Sequence, residues 1–226
     1  EENAVLMRFG KVFQQTYTRF LDLEKAEAQA REAQIETSLE RVRSKTMAMH
    51  NSADVGETVA VMFDELVKLG IRTYRCGIGI MHPTKDMELW TAKPNAEGKV
   101  DLVIGWLNMS LHPLLQGAFK GWLSKEEFFS YELKDDDLIN YYTALNNYAG
   151  YPINYDIASL PKTIFHTDFY FAEGTLFAFS LEKLSEEKKK IFKRFSAVFG
   201  QTYRRYLDLQ KAEAQAKEAQ IEASLE

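Results

Sequence analysis

Apolar residues recur at helical spacing in the first part of the chain. The clearest stripe is spaced alternately four and three residues apart: Ile35, Leu39, Val42, Thr46 and Met49. This is the a/d rhythm of a coiled coil. The residues before it are mostly Ala, Glu, Gln, Lys and Arg, which favour a helix. We therefore predict a long N-terminal helix whose stripe packs on a parallel helix of a second copy or, alternatively, on its own domain.

The middle of the chain, from 51 to 184, changes from helical to alternating patterns. A stripe from Val55 to Leu69 predicts a helix that ends near Gly70. Two shorter helices are expected at 113–123 and from Asp135 onward. Strand-like alternation is seen in six segments: 74–81, 87–92, 100–109, 128–133, 163–171 and 175–181. This order predicts an α+β domain, with helices packed on one six-stranded and mostly antiparallel sheet.

An internal repeat links the two ends of the chain. Residues 8–40 and 194–226 align without gaps at an offset of 186, with 25 of 33 positions identical. We expect a C-terminal helix matching the first, a division into 1–50, 51–184 and 185–226, and such units in tandem in a parent protein. A single duplicated linker is the alternative. Dimer contacts are predicted on the first helix at Ile35, Leu39, Val42 and Met49, and on the last at Phe195, Val198, Thr202 and Leu209.

Composition narrows the possible functions. The formal net charge of −5 argues against a dedicated nucleic-acid binder, and no apolar run reaches the length of about 18 residues that a membrane span needs. The single cysteine, Cys76, fits a reducing compartment, and we expect a cytoplasmic location. The four histidines lack zinc-ligand spacing, and no phosphate-binding loop or nucleophile elbow is present. The sequence therefore predicts neither an enzyme nor a metal site.

The end of the middle segment resembles a GAF domain. The similarity lies in Gly174-Thr175-Leu176, the strand 177–181, and the helix carrying Phe192-Lys193-Arg194-Phe195. The tract from Gln201 to Ala216 resembles the linkers between GAF-like modules of bacterial multi-domain sensors, such as sensor histidine kinases and related signalling proteins. The resemblance implies a regulatory module that senses a small molecule or a partner and relays its state through dimeric helices to an output domain.

Specific ligands of that family do not carry over. The cyclic-nucleotide branch has an Asn-Lys signature that this chain lacks, and Cys76 is followed by Gly77, where bilin attachment usually has histidine. The methionine-sulfoxide-reductase branch relies on several cysteines, whereas this chain has one. The resemblance therefore leaves the ligand and any cofactor unknown.

Aromatic residues and one histidine are the candidates for contacting a small molecule. They are Trp90, Trp106, Tyr142 and His166, although aromatic residues of an α+β domain are more often part of the core and such a histidine is more often structural. Two functions follow from the sequence: a sensory relay that binds a ligand, and a structural dimerisation or spacer module whose pocket is filled by its own aromatic side chains.

Overall fold

The computed structural model describes residues 2–49, 53–94 and 100–225. The chain divides into two compact units, residues 1–38 and 39–226. The first helix, α1, is Glu2–Met47, as its composition predicts. The predicted domain boundary between residues 50 and 51 lies outside the described residues.

Local sequence signals set the ends of the shorter helices. The side chain of His112 accepts a hydrogen bond from the Leu114 amide, and Pro113 opens the third helix. Gly70, which follows the second helix, has a φ of 76°, a conformation that glycine adopts without strain. The remaining helices are α2 (Ala53–Lys68), α3 (Pro113–Leu123), α4 (Asp135–Asn146) and α5 (Glu186–Leu225), with a 3-10 turn at Ile157–Ser159.

Six strands form one sheet in the order β3-β2-β1-β6-β5-β4, and every neighbouring pair is antiparallel. This confirms the predicted α+β class. The strands are β1 (Arg75–Met81), β2 (Asp86–Pro94), β3 (Val100–Asn108), β4 (Phe128–Lys134), β5 (Thr163–Phe171) and β6 (Gly174–Ser180).

The sheet has helices on both faces. Helices α2 and α5 pack on one face, where Trp90 lies beside Gly56 of α2 and Phe169 stacks on Phe192 of α5. Helices α3 and α4 cover the other face, where Tyr141 of α4 stacks on Phe179. Because alternate residues of a strand point to opposite faces, each strand contributes to both layers.

Candidate functional site

Strand register brings an arginine, a histidine and an aspartate into two adjacent rows on the face covered by α3 and α4. Arg75 of β1 is paired directly with Phe179 of β6, which in turn is paired with His166 of β5. The next row of the same face is Gly77, Phe177 and Asp168. Directly opposed residues share a face, so the register itself places an arginine, a histidine and an aspartate together.

Arg75 is buried among aromatic side chains, with 2% of its surface exposed. Its guanidinium donates hydrogen bonds to three tyrosine hydroxyls: Tyr141 at 3.0 Å, Tyr151 at 3.2 Å and Tyr155 at 2.5 Å. The guanidinium carbon also lies 3.9 Å from the centre of the Phe179 ring. We call these five residues the Arg75 cluster.

The charge of Arg75 has no carboxylate partner within the part of the chain that the structure describes. Burial lowers the pKa of Arg75, but the surrounding tyrosines, Tyr155 first, leave it raised well above the usual value, so the side chain stays cationic. Burial raises the pKa of the Tyr141 and Tyr155 hydroxyls, so neither is an anion at neutral pH. The cluster therefore holds a net positive charge.

Three buried polar atoms on this face lack a hydrogen-bond partner among the described residues. They are Nε of Arg75, the hydroxyl of Tyr142 and Nδ1 of His166. Buried polar groups are nearly always paired, so such atoms mark places where a water molecule or a ligand can bind. Their concentration beside an uncompensated cation makes this the best-supported candidate site.

His166 lies at the β5 end of the first row, beyond Phe179 of β6. Its Nε2 lies 2.5 Å from Oδ2 of Asp168, and the hydroxyl of Thr175 donates to the other carboxylate oxygen at 3.0 Å. All three residues are buried. The carboxylate of Asp168 is therefore satisfied by its own neighbours rather than by Arg75.

A cleft of about 490 Å³ is lined by Tyr74 and Ser180, the chain neighbours of Arg75 and Phe179, although no member of the Arg75 cluster itself lines it. Its lining includes three cationic side chains, Arg72, Lys93 and Lys188, against one carboxylate, Glu182. The ammonium of Lys93 lies 5.6 Å from the ring of Tyr155, whose hydroxyl accepts from Arg75. Tyr155 is thus in contact with one cationic residue of the cleft lining and with the buried Arg75, and the field of an electropositive cleft attracts anions.

Strand β5 joins this site to helix α5. His166 and Asp168 point to the α3 and α4 side, whereas Phe169 and Phe171 point to α5. Phe169 stacks on Phe192 with ring centres 5.3 Å apart, and Ser196 donates to the carbonyl oxygen of Phe169 at 2.7 Å. Strand β5 therefore contacts the candidate site on one face and α5 on the other.

The four predicted ligand-contacting residues do not come together. Tyr142 and His166 lie on the face of the Arg75 cluster, and both are buried. Trp90 lies on the opposite face against Gly56 of α2 and belongs to that core. Trp106, which shares the face of Trp90, is 44% exposed. The tryptophans are thus separated by the sheet from the candidate site.

Most of the predicted dimer contacts are buried in the single chain. Within the second unit, Leu39, Val42 and Met49 are almost fully buried, as are Phe195 and Val198. A side chain that already packs inside its own chain has no surface left for a second copy. Leu39, Val42 and Met49 are buried as the alternative for the first helix expects, and dimer packing at these five positions stays a prediction.

The other three predicted contacts differ from one another. Ile35, in the first unit, is also buried. Thr202 is partly buried, and its hydroxyl bonds to the carbonyls of Val198 and Phe199 in its own helix. Leu209 is 51% exposed and remains available to a partner.

Sequence reasoning did not identify Arg75 as a site residue. The alternation of β1 contained the signal, because Cys76, Ile78 and Ile80 form one face and Arg75 shares the other with Gly77 and Gly79. An arginine in register with two glycines on a strand buried throughout is unusual, since arginine is seldom buried unless paired. The glycines leave room for neighbouring side chains: a Cβ at Gly77 would lie 2.8 Å from the ring of Phe177.

Other chemistry finds little support in the described residues. Cys76 is buried, and burial raises the pKa of its thiol to about 12, so it is not a thiolate nucleophile at neutral pH. The described ranges contain no cluster of three or more His, Cys, Asp or Glu side chains placed to hold a metal ion. Among the helices described, none is both long and apolar enough to cross a membrane.

Comparison with known proteins gives similarity at the level of structure. No family model matches the sequence, and no curated protein matches it. Solved structures with similar folds include a GAF domain from a phosphoenolpyruvate-protein phosphotransferase of Coxiella burnetii, with 13% identity, a TM-score of 0.46, and coverage of 83% of this chain and 98% of that one.

Two further similar structures are a second GAF domain and an enzyme. The GAF domain of the Acinetobacter phosphoenolpyruvate-protein phosphotransferase is 10% identical, with a TM-score of 0.43, and covers 74% of this chain and 90% of that one. Free methionine-R-sulfoxide reductase from Neisseria meningitidis, solved with its substrate, is 8% identical, with a TM-score of 0.44 and coverage of 77% and 91%.

Proposed function

We propose that this chain contains a GAF-type regulatory module that binds a small anionic molecule, a carboxylate or a phosphate, at Arg75. The observation that carries the proposal is a buried guanidinium that has three neutral hydroxyl acceptors, no carboxylate partner among the described residues, and an unpartnered Nε. An isolated buried charge is retained when something else compensates it. An anion would supply both the opposite charge and the missing acceptor.

Access to the site would involve Tyr155. The segment between α4 and β5 carries this residue and is fastened by Asn146, whose side-chain amide donates to the carbonyl of Tyr155 at 2.8 Å and accepts from its amide at 2.7 Å. A rotation of the Tyr155 side chain would join the electropositive cleft to Arg75 without disturbing this backbone pair. The anion would then replace the Tyr155 hydroxyl as the acceptor.

Binding would be relayed through β5 and β6 to the C-terminal helix. Strand β6 supplies Phe179 to the Arg75 cluster and, on its other face, packs against α5, as does β5. Coupling free energies of about 1–3 kcal/mol are typical between linked sites and suffice to shift a two-state helix arrangement. We further propose that α5, with Leu209 on its exposed surface, passes this state to an output domain in a dimer.

A structural spacer is the second candidate function. It is favoured by the filled interior, because Tyr141, Tyr142, Tyr151 and Tyr155 occupy the space around Arg75. In that case the Arg75 cluster would serve as a rigid core and no small molecule would enter. The two functions predict different responses to added anions.

The test is a thermal-unfolding comparison of charged and neutral analogues. Acetate, succinate and inorganic phosphate would be compared with acetamide and succinamide at constant ionic strength. A ligand at ten times its Kd stabilises by about 1.4 kcal/mol, or several degrees in Tm for a domain of this size. We expect at least one anion to raise Tm, and its neutral analogue to have no effect.

Two variants locate the effect. Arg75→Met should abolish the shift, whereas Arg205→Met, which removes an exposed arginine from α5, should leave it unchanged. An increase in Tm that persists in Arg75→Met would place anion binding elsewhere. If none of the three anions acts differently from the neutral compounds, the spacer function is the better account.

A further inference from the structure

Four apolar residues that the two copies of the repeat share are buried in α5 but exposed in α1. In α5, Phe195, Val198, Phe199 and Tyr203 are 0%, 7%, 0% and 8% exposed. An offset of 186 gives their counterparts in α1: Phe9, Val12, Phe13 and Tyr17, which are 71%, 61%, 70% and 52% exposed. We call these four α1 residues, with Leu6, the α1 face.

In the buried copy, the apolar residues of α5 pack against strand β5 of the sheet. Phe199 makes an edge contact with Phe171 of β5, with ring centres 5.4 Å apart, and Phe192, the counterpart of Leu6, stacks on Phe169. The face of α5 thus closes the sheet over β5 and β6. An exposed patch of several large apolar residues on one helix marks an interaction surface.

We propose that the α1 face closes the sheet of another domain of this same architecture, as α5 closes the sheet described here. The occupant follows from the repeat, because all four buried α5 positions have the identical residue in α1. The inference does not depend on anion binding at Arg75 and goes beyond the proposed function. In this arrangement α1 would be one continuous helix, the last element of one sheet domain and the first element of the next.

Two substitutions between the copies indicate that the other domain is related but not identical. Gly200 lies against Phe171, and a Cβ at this position would come within 2.6 Å of the Cβ of Phe171. The counterpart in α1 is Gln14, which would not fit above a phenylalanine there. Gly10 of α1, conversely, stands where α5 has Ser196. We infer a partner sheet with a glycine at the position equivalent to Phe171, because every other residue carries the Cβ that the side chain of Gln14 would meet.

The first experiment grafts the α1 sequence onto the sheet in the full chain. Residues 6–17 and 192–203 differ at five positions, so the graft needs Phe192→Leu, Lys193→Met, Ser196→Gly, Ala197→Lys and Gly200→Gln. With Gly200 kept, we expect cooperative unfolding with Tm lowered by about 10 °C or less. The control graft places residues 23–34, equally helical but without the apolar face, at 192–203, and it should not give a cooperatively folded domain.

The fifth substitution tests the shape of the partner. Adding Gly200→Gln should lower Tm further, and Phe171→Gly, which removes the Cβ that the new side chain would meet, should then be less destabilising than it is in the unmodified chain. Additive effects of these changes would overturn the inference about the partner's residue. A four-substitution graft that unfolds like the control graft would overturn the proposal itself.

A second experiment asks whether the α1 face already serves this chain. Phe9→Asp combined with Phe13→Asp should change Tm by less than about 2 °C, since both side chains are exposed. The matched pair Phe195→Asp and Phe199→Asp should unfold the domain, because both are fully buried. Equal destabilisation by the two pairs would show that the α1 face is committed within this chain and would contradict the proposal.

Discussion

Replacing Arg75 by methionine separates a functional role of this residue from a structural one. Methionine has a similar length and no charge, so it can fill the space between Phe179 and the tyrosines. The change removes three hydrogen bonds from a charged donor, to Tyr141, Tyr151 and Tyr155. At about 1.5–3 kcal/mol each, these bonds amount to about 5–9 kcal/mol before any compensation.

The opposing contribution is the desolvation of the guanidinium. Burying one ion costs several kcal/mol even after relaxation, and replacing buried ions by apolar residues of similar volume is often neutral or stabilising. Two of the three hydroxyls left behind have other partners, because Tyr151 donates to Thr91 at 3.2 Å and lies 3.4 Å from the hydroxyl of Tyr155, whereas the hydroxyl of Tyr141 loses its hydrogen bond to Arg75. We therefore expect the free energy of unfolding to change by less than about 2 kcal/mol.

Urea unfolding in a chloride buffer measures this free energy directly. Tyr142→Phe is the control, since it removes a buried hydroxyl that has no partner among the described residues and should be neutral or slightly stabilising. A loss of more than about 4 kcal/mol in Arg75→Met would refute the reasoning, because it would show that the cation itself holds the aromatic core together. The spacer function would then be favoured.

Three further predictions concern single residues. Cys76 should not react with a thiol reagent at pH 8 until the chain is unfolded, because it is buried and its thiol pKa is raised to about 12. Burial lowers the pKa of His112, so the unfolded chain binds a proton more readily. The free energy of unfolding, measured with urea, should therefore fall as the pH drops below about 6.5 and should level off below the lowered pKa of His112 in the folded chain. His112→Gln should remove this part of the pH dependence. Gly77→Ala should lower Tm by 10 °C or more, because the added Cβ would lie 2.0 Å from the carbonyl oxygen of Trp90. Gly10→Ala is the control: its Cβ would have nothing within 4 Å, so this variant should be neutral or slightly stabilising. Equal changes in Tm for the two variants would contradict the packing described.

The elements of the fold could be predicted from the sequence because each has a local signal. The alternation of β1 and the predicted bounds of β5 agree with the structure to within about one residue. The proline at position 113 and the three aspartates from Asp135 fix the starts of α3 and α4. These signals act within a few residues, so they do not require knowledge of which strands are neighbours.

The candidate site could be predicted only in part, because it depends on register between distant strands. The aromatic and polar character of Tyr142 and His166 predicts them as ligand contacts, and both lie on the face of the Arg75 cluster, whereas Trp90, predicted with them, lies on the other face. Arg75 meets His166 only through β6, which lies between β1 and β5. Periodicity likewise reveals that Leu39 belongs to an apolar stripe, but not which surface covers it.

The most direct test of the account observes the Nε–H group of Arg75 itself. In ¹⁵N–¹H NMR spectra its resonance can be assigned as the one missing from Arg75→Met and present in Arg205→Met. We predict a saturable shift of this resonance on titration with succinate or inorganic phosphate, and no shift with succinamide, because an anion would provide the acceptor that Nε lacks. A resonance that does not move with either anion would contradict the claim that Arg75 is the anion-binding group.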